Sequence, residues 1–130
     1  MILVDSCVLI DIFTGDERWR EWSERALAEA ADDDKIAINA IIYAEVSLSF
    51  ETIEALDDAL SGIEVLPIPP AAAFLAARLH TTYRRAGGTK IRPLPDFFIG
   101  AHAAVMGYRL LTRNPGDLVN RLPRLSLIAP

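Results

Sequence analysis

The sequence predicts a three-layer α/β/α domain in which helices cover both faces of a parallel sheet. Short apolar segments alternate with longer segments of helical pattern, as is typical of parallel strands joined by crossover helices. The chain has 130 residues, of which 52% are hydrophobic, and this is enough for one sizeable core. No linker-like segment interrupts it, so we expect a single domain over residues 1–130.

The first half of the chain is predicted to form two strands and three helices. In chain order these are a strand at residues 1–4, a helix at 16–31, a strand at 35–38, and helices at 40–48 and 51–60. Asp16 and Asn39 are suitable N-caps for the helices that follow them. Ser61-Gly62 ends the last of these helices.

The second half is predicted to form three strands and two helices. In chain order these are a strand at 63–68, a helix from Pro69-Pro70 to Arg85, a helix from Pro95 to Met106, and strands at 109–112 and 125–129. Gly87-Gly88 stops the first of these helices. The loop that follows, GGTKIRPLP (87–95), is rich in Gly, Pro and positive charge.

Asp5 interrupts the apolar N-terminal stretch MILVDSCVLI. The first strand is the most uniformly apolar, so we expect it at the centre of the sheet. An ionised carboxylate inside a core costs several kcal/mol unless it is compensated. Ligands of parallel sheets bind beyond the carboxyl ends of strands, and Asp5 directly follows the first strand. We therefore expect Asp5 at the rim of a site, where a cation or hydrogen-bond donors meet it.

Four other acidic residues lie after a strand or near the start of a helix. Glu45 stands in the apolar segment AIIYAEVSL, where it either joins the site, points to solvent or meets an arginine. Asp96 in PLPDFFIGAHAAV is either a site residue or a carboxylate that favours the helix dipole. Asp117 in LLTRNPGDL is either a site residue or a turn residue. Asp11 is interpreted as a cap or an ion-pair partner.

The acids Asp5, Glu45, Asp96 and Asp117 would share one edge of a parallel sheet. Two carboxylates ~5 Å apart repel by roughly 3 kcal/mol at an effective dielectric constant near 20, so a cluster of them requires a divalent cation. Oxygen ligands favour Mg²⁺ or Mn²⁺. Zinc is disfavoured because the chain has one cysteine and its two histidines are far apart in sequence. We expect both histidines, His80 and His102, to be structural.

The charge of the chain is unevenly distributed. The net charge is −5, but residues 78–130 hold 9 basic and only 2 acidic residues. This asymmetry fits a nucleic-acid partner, a dimer whose acidic and basic faces meet, or chance. The single Cys7 rules out an internal disulfide and favours a reducing cytoplasm, where we expect it to act as a small buried hydrophobe. No apolar run is long enough for a membrane helix, and no secretory signal is recognisable.

Three segments of this chain resemble the PIN-domain ribonucleases, and among them the VapC-type toxins of bacterial and archaeal toxin–antitoxin pairs. The segments are MILVDSCVLIDIF, INAIIYAEV and PLPDFFIGAHAAVMGYRLLTRN, and the likeness covers nearly the whole chain. The resemblance implies a five-stranded parallel sheet in the order 3-2-1-4-5. It also implies metal ligands at Asp5, Glu45 and Asp96, polar neighbours at Ser6 and Thr112, a homodimer, and an antitoxin partner similar to VapB.

The sequence departs from the family pattern at one position. Many relatives have Thr-Arg-Asp where this chain has Thr112-Arg113-Asn114, and an amide brings no charge. Other relatives have Thr-Arg-Asn followed by an Asp three residues later, which Asp117 matches. We therefore assign the fourth acidic role to Asp117, with Asn114 as a helper.

The resemblance implies an Mg²⁺- or Mn²⁺-dependent endoribonuclease that acts as the toxin of a toxin–antitoxin pair. The metal would bind the scissile phosphate and lower the pKa of a bound water. Basic residues near the acids would hold the RNA backbone, or would be solvated or contact an antitoxin; they are Arg84, Arg85, Lys90, Arg92 and Arg113. The alternative function is that of a catalytically impaired PIN-like module that binds protein.

Overall fold

The computed structural model describes residues 1–89, 93–116 and 118–130. The strands are β1 (Ile2–Val4), β2 (Ile36–Asn39), β3 (Glu64–Leu66), β4 (Arg109–Leu111) and β5 (Leu127–Ile128). The helices are α1 (Ser6–Thr14), α2 (Arg20–Asp33), α3 (Ala40–Ser47), α4 (Ile53–Ala59), α5 (Pro70–Arg85), α6 (Pro93–Met106) and α7 (Leu118–Arg121). None of the helices in these ranges has the length and apolar character needed to cross a membrane.

All five strands are parallel and form one sheet in the order β3-β2-β1-β4-β5. The predicted fold class and strand order are thus confirmed. Strand β1 is central, with Ile2 paired to Ile36 on one side and to Arg109 on the other. All three residues of β1 are fully buried. The carboxyl ends of β1, β2 and β4 therefore lie together at one edge of the sheet.

Two helices of the structure were not predicted, and three others begin elsewhere, among them α4, which starts at Ile53 rather than at residue 51. Helix α1 starts directly after β1 because the Asp5 carboxylate accepts a hydrogen bond from the Ser6 N–H and caps it. Helix α7 is a single short turn. Asp16 accepts from the N–H groups of Arg18 and Trp19, so it caps the turn ahead of α2, which begins at Arg20. Helix α6 begins at Pro93, two residues before the predicted start.

Asn39 links the end of β2 to α3 and α6. As predicted, it caps α3, with its Oδ1 accepting from the Ile42 N–H at 3.0 Å. This leaves its Nδ2 facing the Nδ1 of His102 at 3.1 Å. Because an amide nitrogen can only donate, His102 Nδ1 must be the unprotonated acceptor. Both side chains are buried, which confirms that His102 is a packed, hydrogen-bonded residue.

Burial lowers the pKa of His102 from its ordinary value of 6.5. Since the unfolded chain then binds a proton that the folded protein does not, the free energy of unfolding should fall as pH drops below 6.5. We predict that His102→Gln reduces this loss between pH 7 and 5, as measured by urea unfolding at several pH values. The control is Thr81→Gln, at an exposed residue of α5 without a titratable side chain, which should keep the parental slope. Parallel pH profiles for the parent and His102→Gln would contradict this prediction.

Candidate active site

Asp5 lies at the carboxyl end of the central strand and is held by backbone and side-chain hydrogen bonds. Its N–H donates to the Leu111 carbonyl at 2.8 Å. One carboxylate oxygen, Oδ1, accepts from the Ser6 N–H at 2.7 Å. The other, Oδ2, accepts from the Thr112 hydroxyl at 2.7 Å. The carboxylate is therefore fixed between the start of α1 and the segment that follows β4.

Glu45 reaches the same edge of the sheet from α3. The Ser6 hydroxyl lies 3.0 Å from Glu45 Oε1 and 3.4 Å from Asp5 Oδ1, so it bridges the two acids. Ser6 is buried and Glu45 is half-buried. The structure thus brings together two of the predicted acids with the predicted polar neighbour Ser6, although the acids are 40 residues apart in sequence.

Burial raises the pKa of Asp5 from its ordinary value of 3.8, against the opposing effect of hydrogen bonds from Thr112, Ser6 and Cys7. These donors are all neutral. Hydrogen bonds to the ionised form favour it, but burial without a positive charge disfavours it more strongly here. A cation next to Asp5 would reverse that balance.

Cys7 belongs to the site, although the sequence predicted it to be a small buried hydrophobe. It is half-buried, and its Sγ lies 3.6 Å from both Asp5 Oδ2 and Thr112 Oγ1. Burial, together with the negative charge of Asp5, raises the pKa of Cys7 to about 11. The thiol is therefore neutral at pH 7 and acts as a weak donor to the carboxylate rather than as a nucleophile.

Thr112 connects Asp5 to the turn after β4. Its hydroxyl donates to Asp5 and accepts from the backbone N–H of Asn114 at 3.0 Å. Because an ionised carboxylate can only accept, the hydroxyl proton is directed to Asp5. Thr112 is fully buried, whereas Asn114 is exposed. In this structure Asn114 contributes to the site through its backbone, and its predicted role as a helper of the acids stays a prediction.

The other two predicted acids are described only in part. Asp96 is exposed in the first turn of α6, and Asp117 lies outside the described residues. Among residues 1–89, 93–116 and 118–130, no three or more His, Cys, Asp or Glu side chains are grouped so that they could hold a metal ion. The four-acid ligand set therefore stays a prediction. The pair Asp5 and Glu45 nevertheless fits Mg²⁺, which keeps several waters and needs only one or two carboxylates.

Asp11 and Arg113 form a partly buried ion pair beside this site. Arg113 donates from Nε to Asp11 Oδ2 at 2.7 Å and from Nη2 to Oδ1 at 2.8 Å. Asp11 is only 2% exposed, and the Ser23 hydroxyl donates to its Oδ2 at 2.8 Å. The interpretation of Asp11 as an ion-pair partner is confirmed. Arg113 was predicted to hold RNA; the structure gives it a protein partner, and a contact with RNA is untested.

The other predicted RNA-binding residues are partly described. Arg84 and Arg85 are exposed at the end of α5, whereas Lys90 and Arg92 lie outside the described residues. Arg121 is a further basic residue, outside the predicted set. Its guanidinium lies 5.5 Å over the ring of Tyr83, whose centroid is 5.7 Å from that of Phe97, the residue after Asp96. In the sequence, Arg121 stands in the basic half of the chain, and no motif includes it.

The chain is an α/β protein with a five-stranded parallel sheet and carboxylates at the carboxyl edge, where sheets of this kind bind their ligands. The family model of the PIN domain matches residues 2–122, and the chain therefore belongs to the PIN domain family. No curated protein sequence gives a significant match.

Solved structures of toxin–antitoxin proteins contain chains similar to this one. A chain in the structure of VapBC2 from Rickettsia felis, bound to a DNA fragment from its promoter, is 21% identical over 100% of this chain and 99% of that one, with a TM-score of 0.74. A chain of a toxin–antitoxin complex from Klebsiella pneumoniae is 28% identical over 91% and 90% of the two chains, with a TM-score of 0.69. One from VapBC-1 of Haemophilus influenzae is 19% identical over 99% and 98%, with a TM-score of 0.71. These findings confirm the resemblance predicted from the motifs.

Asp5 should destabilise the metal-free protein at neutral and higher pH. Because its pKa is raised by folding, the folded protein holds a proton that the unfolded chain releases, and the free energy of unfolding falls as pH rises through the folded pKa. We predict that Asp5→Asn raises the Tm in EDTA at pH 8 by about 3 °C, the shift that roughly 1 kcal/mol produces in a chain of this size.

The matched control is Asp58→Asn, which changes an exposed carboxylate on α4 and should leave the Tm unchanged. Differential scanning calorimetry of the three proteins in EDTA measures the effect. A Tm of Asp5→Asn several degrees below that of the parent would show that the ionised carboxylate stabilises the metal-free fold, contrary to this account.

Proposed function

We propose that the protein is an Mg²⁺- or Mn²⁺-dependent endoribonuclease that acts as the toxin of a toxin–antitoxin pair. The observation that carries this proposal is the pairing of Asp5 and Glu45 through the Ser6 hydroxyl at the carboxyl edge of the sheet. The raised pKa of Asp5 supports it, because a buried carboxylate with neutral donors is suited to a cation.

Asp5 and Glu45 would hold the metal ion, with Asp96 and Asp117 as further ligands supplied by the neighbouring elements. When bound, such an ion polarises a phosphoryl oxygen and lowers the pKa of a coordinated water. The set is restricted to oxygen ligands. The neutral Cys7 thiol beside Asp5 does not change this preference for a hard ion.

The side chains around Asp5 keep its carboxylate in one orientation. The Ser6 N–H donates to one of its oxygens and the Thr112 hydroxyl to the other, so the acid does not have to reorganise when substrate arrives. A carboxylate of the site accepts the proton of the water that attacks phosphorus. Hydrolysis breaks one phosphorus–oxygen bond and leaves a phosphate on one RNA fragment and a hydroxyl on the other.

The RNA backbone would lie along the basic side of the site. The exposed Arg84 and Arg85 and the Tyr83-stacked Arg121 support this path, because the ring contacts of Tyr83 connect Arg121 to the start of α6. Lys90 and Arg92 would extend the same path on the segment that leads to Asp96. Phosphate contacts of this kind give affinity without sequence information.

The proposed partner is a VapB-like antitoxin that covers the site, and the proposed assembly includes a homodimer of this chain. The likeness to chains from VapBC complexes supports the partner. A toxin of this kind would arrest growth when it is expressed alone and would be neutralised by co-expression of its antitoxin.

Cleavage of RNA should require both bridged acids. We predict that Asp5→Asn and Glu45→Gln each lower the Mn²⁺-dependent cleavage rate at least about 100-fold, because each removes one negative charge from the metal site. Single-turnover cleavage of a labelled RNA pool, with and without EDTA, measures this. Glu54→Gln on the exposed side of α4 is the matched control and should cleave at the parental rate.

Two outcomes would contradict the nuclease proposal. One is cleavage by Asp5→Asn and Glu45→Gln at the parental rate, which would point to a contaminating nuclease. The other is a parent that neither cleaves RNA nor binds Mn²⁺ by calorimetry, which would favour the protein-binding alternative.

Binding to RNA should depend on salt through the basic residues. We predict that the slope of log affinity against log salt becomes smaller by about 0.7 for each arginine that contacts a phosphate of a single strand. The variants are Arg84→Gln, Arg85→Gln and Arg121→Gln, measured in the Asp5→Asn background so that the RNA is not cut. Arg25→Gln on the acid-rich α2 is the control. Unchanged slopes for all three variants would show that the RNA backbone does not contact these arginines.

A further inference from the structure

The Asp11 carboxylate joins three segments that are far apart in sequence. It stands on α1, accepts a hydrogen bond from Ser23 on α2, and accepts two from Arg113 in the turn after β4. Ser23 is fully buried and Asp11 nearly so. A planar guanidinium that meets a carboxylate at two points fixes both angle and distance, which a single contact does not.

The aromatic ring of Trp19 closes the outer side of this pair. The Arg113 guanidinium carbon lies 5.4 Å from the Trp19 ring centroid, and that of Arg18 lies 5.3 Å from the same ring. Trp19 itself is held by its N–H, which donates to the Asp16 carboxylate at 2.8 Å. Arg113 is only 23% exposed as a result. Its guanidinium is therefore engaged on its edge by Asp11 and on its face by Trp19.

Thr112 and Arg113 are consecutive, and their side chains bind different partners. The Thr112 hydroxyl donates to Asp5, while the Arg113 guanidinium donates to Asp11. Two hydrogen bonds hold the backbone of this turn. The Thr112 N–H donates to the Ile128 carbonyl at 3.0 Å, and the Asn114 N–H donates to Thr112 Oγ1 at 3.0 Å. If the Arg113 contact is lost, the turn can rotate and the Thr112 hydroxyl leaves the Asp5 oxygen.

We propose that Asp11 and Arg113 are a positioning pair, which holds the turn after β4 so that Thr112 orients the Asp5 carboxylate. For the effect on cleavage this rests on the proposed nuclease function. In this proposal Arg113 binds Asp11 within the protein and does not contact the RNA backbone. The pair acts through Thr112 and touches neither the substrate nor the metal.

The first test does not depend on activity. Amide hydrogen exchange measured by NMR should show the Asn114 N–H exchanging at least tenfold faster in Arg113→Lys than in the parent, because a lysine cannot make the two-point contact. The Leu110 N–H, bonded at 2.9 Å to the carbonyl of Ser126 just ahead of β5, should keep its parental exchange rate. Arg20→Lys, in the exposed pair with Glu24, is the matched control and should change neither amide.

The second test separates positioning from RNA binding. In Arg113→Lys the kcat should fall about 10- to 100-fold, with KM changed less than about threefold, because a misplaced catalytic group slows the chemical step more than it weakens binding. The salt slope of RNA affinity in Arg113→Gln, measured with Asp5→Asn present, should equal that of Asp5→Asn alone. Asp11→Asn is the second variant, used if Arg113→Lys does not fold, and should show the same faster Asn114 exchange and lower kcat.

Each result has one meaning. Parental Asn114 exchange in folded Arg113→Lys or Asp11→Asn would overturn the positioning pair, whether or not the protein cleaves RNA. A raised KM and a smaller salt slope at parental kcat would assign Arg113 to the RNA backbone and would also overturn it. A parent without nuclease activity contradicts the proposed function alone, because the exchange test still applies.

Discussion

The structure of the site depends on the desolvation of one carboxylate. Asp5 ends the central, fully buried strand, and burial raises its pKa despite hydrogen bonds from Thr112 and the start of α1. The hydrogen-bond donors described around it favour a negative charge, but none of these donors is positively charged. Such an arrangement costs stability in the metal-free fold, and the proposed cation would compensate that cost.

The topology explains how distant residues meet at Asp5. Strands β2 and β4 flank β1 in parallel, so the segments that follow all three strands meet at one edge. Asn39 ends β2 and caps the helix that carries Glu45, and it also binds His102 of α6. The turn after β4 brings Thr112 from the other side. Each contribution comes from the end of a strand or the start of a helix, where backbone direction is well defined.

Much of this arrangement could be predicted from local patterns. The apolar segments predicted the strands, and Asn39 was predicted as a helix N-cap. The isolation of Asp5 and Glu45 in apolar surroundings indicated a shared site. The motif resemblance supplied the strand order. Helix α1 was missed because the hydrogen-bond donors expected to meet Asp5 were not recognised as the start of a helix, which this carboxylate caps. The pairing of Arg113 with Asp11 was missed because contacts between residues 102 positions apart depend on how the turn after β4 packs.

The central claim is that Asp5 and Glu45 bind a hard divalent cation. A crystal structure of the parent grown with Mn²⁺, with anomalous data, tests it most directly. The account predicts an anomalous peak bound to both carboxylates, directly or through one water, at about 2 Å for each direct oxygen ligand. A structure with Mn²⁺ in the solvent, both carboxylates ordered and no peak between them would contradict it.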